Sequence, residues 1–194
     1  MAPTASAGDA PARPPRRDAV RNRALLVAAA TDAFREEGLD VGVDAIARRA
    51  GVGVATLYRH FPAKDDLVLA VTEALVDAFV QTAHDALAGG PRGALETVLR
   101  SSLAQQRENR GFFDALAQRP RDPRLRERIT TRARPALERI AAAAHRCGEL
   151  REDLGADDLL VVLRMLGAAG AAAPDPEPYL ALLLRGMAPE PAGA

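Results

Sequence analysis

Cysteine and long apolar runs are scarce in this 194-residue sequence. The single cysteine, Cys147, cannot form an internal disulfide, so a disulfide framework is excluded and a reducing compartment is favoured. The N-terminus lacks the apolar segment of a signal peptide, and the uncharged stretch over residues 165–174 is far shorter than the ~18 residues of a membrane span. We therefore expect a cytoplasmic protein with no membrane partner.

An overall excess of either charge is also lacking, because 26 basic residues balance 26 acidic ones. A net charge of zero argues against a nucleic-acid binder that is basic throughout. The charges are unevenly distributed, however: residues 1–64 hold ten basic and seven acidic residues, whereas residues 65–194 hold sixteen and nineteen. The sequence thus has a basic N-terminal part, which includes its one lysine, Lys64, and an acidic remainder.

Residue sets for catalysis or for a metal are missing as well. Adjacent acids such as Glu36 and Glu37 point about 100° apart on a helix, so they cannot act on one substrate atom. His84, His145 and Cys147 lack the i, i+4 spacing of a helical metal site. A phosphate-binding glycine loop after a strand is also absent. We expect no catalytic residues, no metal and no cofactor.

The composition is that of an ordinary globular protein, with 48% hydrophobic and 27% charged residues. Apolar residues recur at helical spacing between glycines and prolines, and no stretch shows the alternation of a β-strand. Asp18 is a plausible N-cap of the first helix and Gly38 a plausible residue just after its end. These patterns predict an all-α fold of about nine helices. The predicted helices cover residues 18–37, 43–50, 54–61, 64–87, 93–108, 112–117, 122–147, 156–169 and 177–187.

The most informative segment, residues 44–64, predicts two short helices joined by a turn that contains Gly51 and Gly53. Such a helix-turn-helix can place its second helix in the major groove of DNA. Hydroxyl, aromatic and cationic side chains that can reach phosphates and base edges lie on the outer side of the second helix. The residues expected in the small core between the helices are Ile46, Ala47, Ala50, Val52, Leu57 and Phe61.

This segment resembles the N-terminal signature of TetR-type transcriptional regulators, Ile-Ala-x-x-Ala-Gly-Val-x-x-x-Thr-Leu-Tyr-x-His-Phe-x-x-Lys, which runs here without a gap from Ile46 to Lys64. In the second half of the chain, residues 148–153 and 157–160 resemble the C-terminal domain of SbtR-like members. The resemblance, together with the composition of residues 1–17, which holds too few apolar residues to fold, predicts three parts. They are a disordered basic arm over residues 1–17, a three-helix DNA-binding domain over residues 18–64, and a helical effector-binding and dimerisation domain over residues 65–194.

The same resemblance assigns DNA contacts to the second short helix. It places Val54, Ala55 and Thr56 at the end that enters the groove, and it makes Thr56 and Tyr58 phosphate contacts. Val54 and Ala55 can meet a thymine methyl group but cannot read donors or acceptors. Arg59 is then the main candidate for sequence reading, through a bidentate contact with guanine.

Further DNA contacts are implied on either side of that helix. His60 follows Arg59 as a base or phosphate contact, Lys64 would anchor the DNA backbone from the start of the fourth helix, and Arg48 is a candidate on the preceding helix. The basic arm could reach the minor groove or the phosphates. Its cationic residues are Arg13, Arg16 and Arg17.

The remainder of the chain offers a weaker pattern for an effector pocket and a dimer interface. Phe112 and Phe113 could line a pocket with Met165 or could simply belong to the core. The segments Leu159–Leu166 and Tyr179–Leu184 are apolar nearly all round, so both sides of each helix must be covered. The resemblance implies a homodimer in which the last two helices of each copy form a four-helix bundle.

Together these features predict a ligand-responsive transcriptional regulator, a repressor that binds a palindromic double-stranded DNA operator as a homodimer. Its two recognition helices would lie about 34–36 Å apart, and a small hydrophobic or amphipathic effector would release the DNA. Two alternatives remain open from the sequence. One is a constitutive dimeric DNA-binding protein without an effector, and the other is a helical enzyme with a DNA-binding head.

Overall fold

The computed structural model describes residues 16–117, 123–173 and 175–190, and over these residues it has nine α-helices, one 3₁₀ helix and no strand. The prediction of an all-α fold with about nine helices is confirmed. The ends of the helices agree with the predicted ones to within three residues. The elements are α1 (Arg16–Glu37), a 3₁₀ helix (Gly38–Asp40), α2 (Val43–Arg49), α3 (Val54–His60), α4 (Lys64–Ala88), α5 (Ala94–Glu108), α6 (Arg110–Ala117), α7 (Pro123–Arg146), α8 (Ala156–Ala172) and α9 (Glu177–Met187).

Hydrogen bonds at the end of α2 set the direction in which α3 begins. The Gly51 N–H donates to the Arg48 carbonyl (3.1 Å), and the Val52 N–H donates to the Ala47 carbonyl (3.0 Å). These two bonds form a Schellman motif, which requires a left-handed residue at its centre. Gly51 supplies it with φ of 68°, a conformation that glycine adopts without steric cost.

Two hydrophobic cores share helix α4. The N-terminal core is built by α1, α2, α3, the first turns of α4 and the apolar side chains of α6, whereas α5, α7, α8, α9 and the rest of α4 build the C-terminal core. Leu67 and Val71 of α4 are buried in the first core, and Phe79 and Ala83 in the second. The start of α4 at Lys64 therefore does not separate the two cores.

Helix α4 is also the one helix of the described residues whose length and composition would allow it to cross a membrane. Core helices of globular proteins pass the same test. In this fold α4 packs against α1, α5 and α7, so its apolar side chains face other parts of the chain.

Helix α6 joins the C-terminal half to the N-terminal core. Phe112 is 1% exposed and its ring stacks on Phe34 of α1, with 5.9 Å between ring centroids and 21° between ring planes. The neighbouring Gly111 approaches the end of α1 closely, because a Cβ at this position would lie 2.6 Å from the carbonyl oxygen of Arg35. The absence of a side chain at Gly111 thus allows α6 to lie directly against α1.

Candidate nucleic-acid interface

The helix-turn-helix is held together by the core that the sequence predicts. Helix α3 begins after Gly53, which has an extended backbone (φ −71°, ψ 146°) and no side chain that could accept a capping hydrogen bond. Ala50 and Val52 are partly buried against the same cluster. The residues that are fully enclosed between α1, α2, α3 and α4 include Ile46, Ala47, Leu57 and Phe61.

The predicted DNA-contact residues of α3 lie on the side of the helix that faces away from this core. Ala55, Tyr58 and Arg59 are exposed, and they share one face because they are spaced three and four residues apart. Tyr58 is 48% exposed, so its ring and hydroxyl are accessible to a partner. The three remaining residues predicted on this helix are partly buried; they are Val54, Thr56 and His60.

Exposed arginines lie on each of the first three helices. Arg48 on α2 and Arg59 on α3 are both exposed, and so are Arg17 and Arg21 on α1. None of the four forms an ion pair with a carboxylate among the described residues, whereas Arg49 does so twice. The helix-turn-helix and the start of α1 therefore present unpaired positive charge, which is what a surface needs to attract phosphates.

Lys64 has a structural contact that its position in the sequence does not reveal. Its Nζ donates a hydrogen bond to the carbonyl oxygen of Val41 at 2.7 Å, across 23 residues of chain. This bond fastens the first turn of α4 to the segment before α2. The sequence predicted only a DNA contact for Lys64, because a lysine at a helix start carries no signal for a distant carbonyl partner.

Arg49 clamps α2 to the end of α1, and sequence reasoning missed it. Its guanidinium donates to Glu36 at 2.7 Å and to Glu37 at 3.2 Å. The hydrogen bond to Glu36 is the main reason that the pKa of Arg49 is raised above its usual value. On the other side of the domain, the guanidinium of Arg23 lies 5.3 Å from the centre of the Phe61 ring, in a cation–π contact that links α1 to the end of α3.

The predicted extent of the N-terminal arm needs correction. Helix α1 begins at Arg16, so Arg16 and Arg17 belong to its first turn and the arm cannot extend to residue 17. Asp18 accordingly lies inside the helix and is not its N-cap. A carboxylate in the first turn favours the helix through the positive end of the helix dipole, which explains the pattern that suggested a cap. Arg13 lies outside the described residues.

The three residues predicted to line an effector pocket are not brought together. Phe112 is enclosed in the N-terminal core, and Phe113 packs edge-on against it with 5.5 Å between ring centroids. Met165 lies on α8 and is 51% exposed. The aromatic pair therefore serves the contact between α6 and α1.

An open cleft of about 530 Å³ lies instead between α1, α4 and α7, and none of these three residues lines it. Alanine side chains of α1 and α4 line much of it, and charged residues lie around them. Those charged residues already have partners: Asp77 accepts from Arg132 at 2.8 Å, and Asp32 pairs with Arg35 at 2.7 Å. The hydrogen bond with Asp77 raises the pKa of Arg132.

Comparisons with known proteins agree with this arrangement. The family model "Bacterial regulatory proteins, tetR family" matches residues 26–71, which include all of the helix-turn-helix. The model "Transcriptional regulator SbtR-like, C-terminal domain" matches residues 90–189, which is more than half of the chain. The chain belongs to the TetR family. Its helix-turn-helix is thus the DNA-binding domain of a transcriptional regulator, and the resemblance seen in the sequence is confirmed for both halves.

Individual relatives support the same assignment. A crystal structure of a TetR transcription regulatory protein from Mycobacterium vanbaalenii is 35% identical and covers 90% of this chain and 99% of its own, with a TM-score of 0.70. A structure of a gamma-butyrolactone receptor is 27% identical and covers 88% and 90%, with a TM-score of 0.58. An HTH-type transcriptional regulator of Staphylococcus aureus is 38% identical over 66 residues, which are 34% of this chain and 36% of that relative's length. The first and the third of these relatives are named as transcription regulators, a class of protein that generally has no enzymatic activity.

Proposed function

We propose that this TetR-family regulator binds a palindromic operator as a homodimer and represses transcription until a small hydrophobic or amphipathic effector releases it. The observation that carries the proposal is the outer face of α3. That face holds Tyr58 and Arg59 exposed, without an ion pair among the described residues, on a helix fixed by a buried core. The protein would act in the cytoplasm, where its DNA lies.

In the complex, α3 enters the major groove of the DNA. The chemistry of each side chain determines whether it contacts a base or a phosphate. Arg59 donates two hydrogen bonds to the edge of a guanine, whereas Thr56 and Tyr58 bind phosphates. Val54 and Ala55, at the start of the helix, contact a thymine methyl group. The flanking contacts come from three further residues, which are Arg48, His60 and Lys64.

Helix α4 connects the DNA-binding domain to the effector-binding part. Its first turn is fastened to the segment before α2 by the bond from Lys64 to Val41, and its later turns are buried in the C-terminal core. A shift of α4 in that core would therefore change the position of α3. An effector can release the DNA only to the extent that it binds the shifted state more tightly.

The homodimer would form through α8 and α9. Four of the seven large apolar side chains that are exposed in the described residues lie on these two helices, and they are Val161, Met165, Tyr179 and Leu182. Apolar side chains on adjacent helices make a patch of the kind that a second copy covers. Two copies of this pair would form a four-helix bundle.

An effector is supported by the family and by one relative. The gamma-butyrolactone receptor that resembles this chain is named for a small neutral ligand. No acidic or basic side chain of the C-terminal half is buried among the described residues, which leaves an apolar interior for such a molecule.

Substitution of Arg59 by alanine tests the DNA contact. Duplexes that bind the wild-type protein would first be selected from a random pool, and affinities would then be measured by gel shift at several salt concentrations. We expect Arg59→Ala to weaken binding by about 10- to 100-fold per half-site, and to lose the preference at one base pair, because a bidentate guanine contact contributes about 1–3 kcal/mol of discrimination.

Arg139→Ala is the matched control, since Arg139 is an exposed arginine on α7, in the C-terminal half. We expect its affinity and its base preference to equal those of the wild-type protein. Equal losses in both variants would mean that only total charge matters, and full affinity in Arg59→Ala would refute the assignment of α3 as the reading helix.

A further inference from the structure

The buried face of α5 changes its chemistry halfway along the helix. Leu95, Ser102 and Asn109 are seven residues apart, so they lie along the middle of one face. All three are buried, and both Ser102 and Asn109 are only 6% exposed. The first half of this face is aliphatic, as a core helix requires, whereas the second half adds the buried polar side chains of Ser102 and Asn109 to the apolar Leu103.

Ser102 is the clearest anomaly in this part of the chain. Its Oγ is buried and has no hydrogen-bond partner within the residues that the structure describes. A buried hydroxyl without a partner destabilises a folded protein, and such groups are rare enough to need an explanation. A ligand that supplies the missing partner is one.

Three side-chain amides lie on the same side of the helix as Ser102, and together with Ser102 they form a row of polar side chains. Gln105 Nε2 donates to the Leu75 carbonyl on α4 (3.1 Å), and Gln106 Nε2 donates to the Leu163 carbonyl on α8 (3.3 Å). Asn109 Nδ2 donates to the carbonyl of Gln105 (2.9 Å). Each amide thus uses its nitrogen, and among the described residues none of the three side-chain oxygens accepts a hydrogen bond.

Gly167 on α8 shows how closely the Gln106 side chain is accommodated. A Cβ at Gly167 would lie 1.9 Å from Gln106 Oε1, so the amide fills the space that any other residue at this position would occupy. Within the part of the chain that the structure describes, one hydrogen bond of 3.3 Å holds this amide to α8. Movement of the Gln106 side chain would therefore open a space directly beside the row.

We propose that Ser102, Gln105, Gln106 and Asn109 form the recognition site for the effector, and that the effector is an uncharged molecule with at least one hydroxyl or N–H donor on an apolar skeleton. The inference rests on the proposed function, since it assumes that an effector exists. The ligand donates to the free amide oxygens and pairs with the Ser102 hydroxyl, which both donates and accepts.

Because the interior holds no charged side chain among the described residues, we expect the ligand to be uncharged. Among the described residues the only buried polar side chains are Thr72, Ser102 and Asn109, and no Asp, Glu, Lys or Arg is buried. A charged group placed beside Ser102 would have no counter-ion, which is strongly unfavourable. The apolar skeleton would contact the aliphatic side chains around the row, such as Leu103 and Leu166.

The site is also placed to affect DNA binding. The Nε2 bonds of Gln105 and Gln106 tie α5 to α4 and to α8, so a ligand that binds the oxygens of these two amides acts directly on the contacts between α5 and these helices. Because the first turn of α4 is bonded to the segment before α2, the change reaches the DNA-binding domain.

The first experiment compares Ser102→Ala with Ser101→Ala, a matched control at the adjacent, partly exposed position. In ligand-free protein we expect Ser102→Ala to have a urea midpoint equal to or above that of the wild type, because it removes an unpaired buried hydroxyl. Binding to the selected duplex should be unchanged in both variants. A lower urea midpoint in Ser102→Ala than in Ser101→Ala would show that the hydroxyl has a structural partner, and it would overturn the proposal.

The second experiment titrates the dimer calorimetrically with straight-chain and cyclic vicinal diols of six to ten carbons. The carboxylate and ammonium counterparts of the same skeletons serve as charged controls. We expect diols to bind at up to millimolar concentration, to bind about tenfold more weakly to Ser102→Ala, and to weaken binding to the selected duplex. The charged compounds should not bind.

Three results would overturn the assignment. They are a charged compound that binds as tightly as its diol, equal diol affinity in wild type and Ser102→Ala, and no diol binding by the wild type. If the wild type still binds its selected duplex in these cases, only the effector site fails. Loss of all sequence-specific duplex binding would instead refute the proposed function itself.

Discussion

Replacing Phe112 by alanine is expected to lower the free energy of unfolding by about 3–5 kcal/mol, which is the usual loss for a large aromatic side chain removed from a core. The loss should fall on the DNA-binding domain, although Phe112 lies in the second half of the sequence, because its ring stacks on Phe34 of α1. Urea denaturation gives the total loss, and hydrogen exchange of the backbone amides of α1 to α3 gives its location.

Phe79→Ala is the control, since Phe79 is also a buried phenylalanine but belongs to the C-terminal core. Removal of the Phe79 ring should increase hydrogen exchange of the backbone amides in α5 and α7 and leave the amides of α2 and α3 protected. If Phe112→Ala increases exchange only in the C-terminal half, α6 is not part of the DNA-binding domain's support, and the connection between α6 and α1 described above is wrong.

The double substitution Tyr179→Glu and Leu182→Glu on α9 is expected to produce a monomer and to reduce operator affinity by about 100-fold or more. Both side chains are exposed in the single chain, and Leu182 is 61% exposed. If a second copy covers them, two carboxylates buried without partners would prevent the bundle from forming. A monomer binds one half-site at a time and loses the advantage of a linked second site, which is typically 10²–10⁴-fold.

The mass in solution should be measured by sedimentation equilibrium alongside the gel shift. Val20→Glu is the control for oligomeric state, because Val20 is also a large exposed apolar residue but lies on α1. We expect Val20→Glu to remain a dimer. A double α9 variant that stays dimeric would exclude these helices as the interface, and a wild-type monomer would exclude the homodimer altogether.

The helix-turn-helix could be predicted in detail because its information is local. The two glycines of its turn, Gly51 and Gly53, and the apolar spacing of Ile46, Leu57 and Phe61 all lie within 20 residues of chain, so the pattern contains both the elements and their contact. The same holds for the end of α1, where Gly38 adopts a left-handed conformation as Gly51 does after α2.

Contacts between distant segments could not be predicted in this way. Helical periodicity shows that Phe112 faces a core but not that its partner is Phe34, and it does not reveal the bond from Lys64 to the Val41 carbonyl. For the same reason the pair Phe112 and Phe113 suggested a pocket wall. A single sequence shows which face of a helix is apolar. It does not show which helix covers that face, because this depends on how the helices cross.

The sharing of α4 between both cores has a practical consequence for building hybrid regulators. Suppose that the DNA-binding domain of another regulator replaced residues up to Lys64. Leu67 and Val71 of this chain would then pack against side chains that do not fit them, and Phe112 would lose its contact with Phe34. A hybrid that keeps the N-terminal core intact therefore has to include the first turns of α4 and also α6. The unit that can be recombined is therefore discontinuous in the gene.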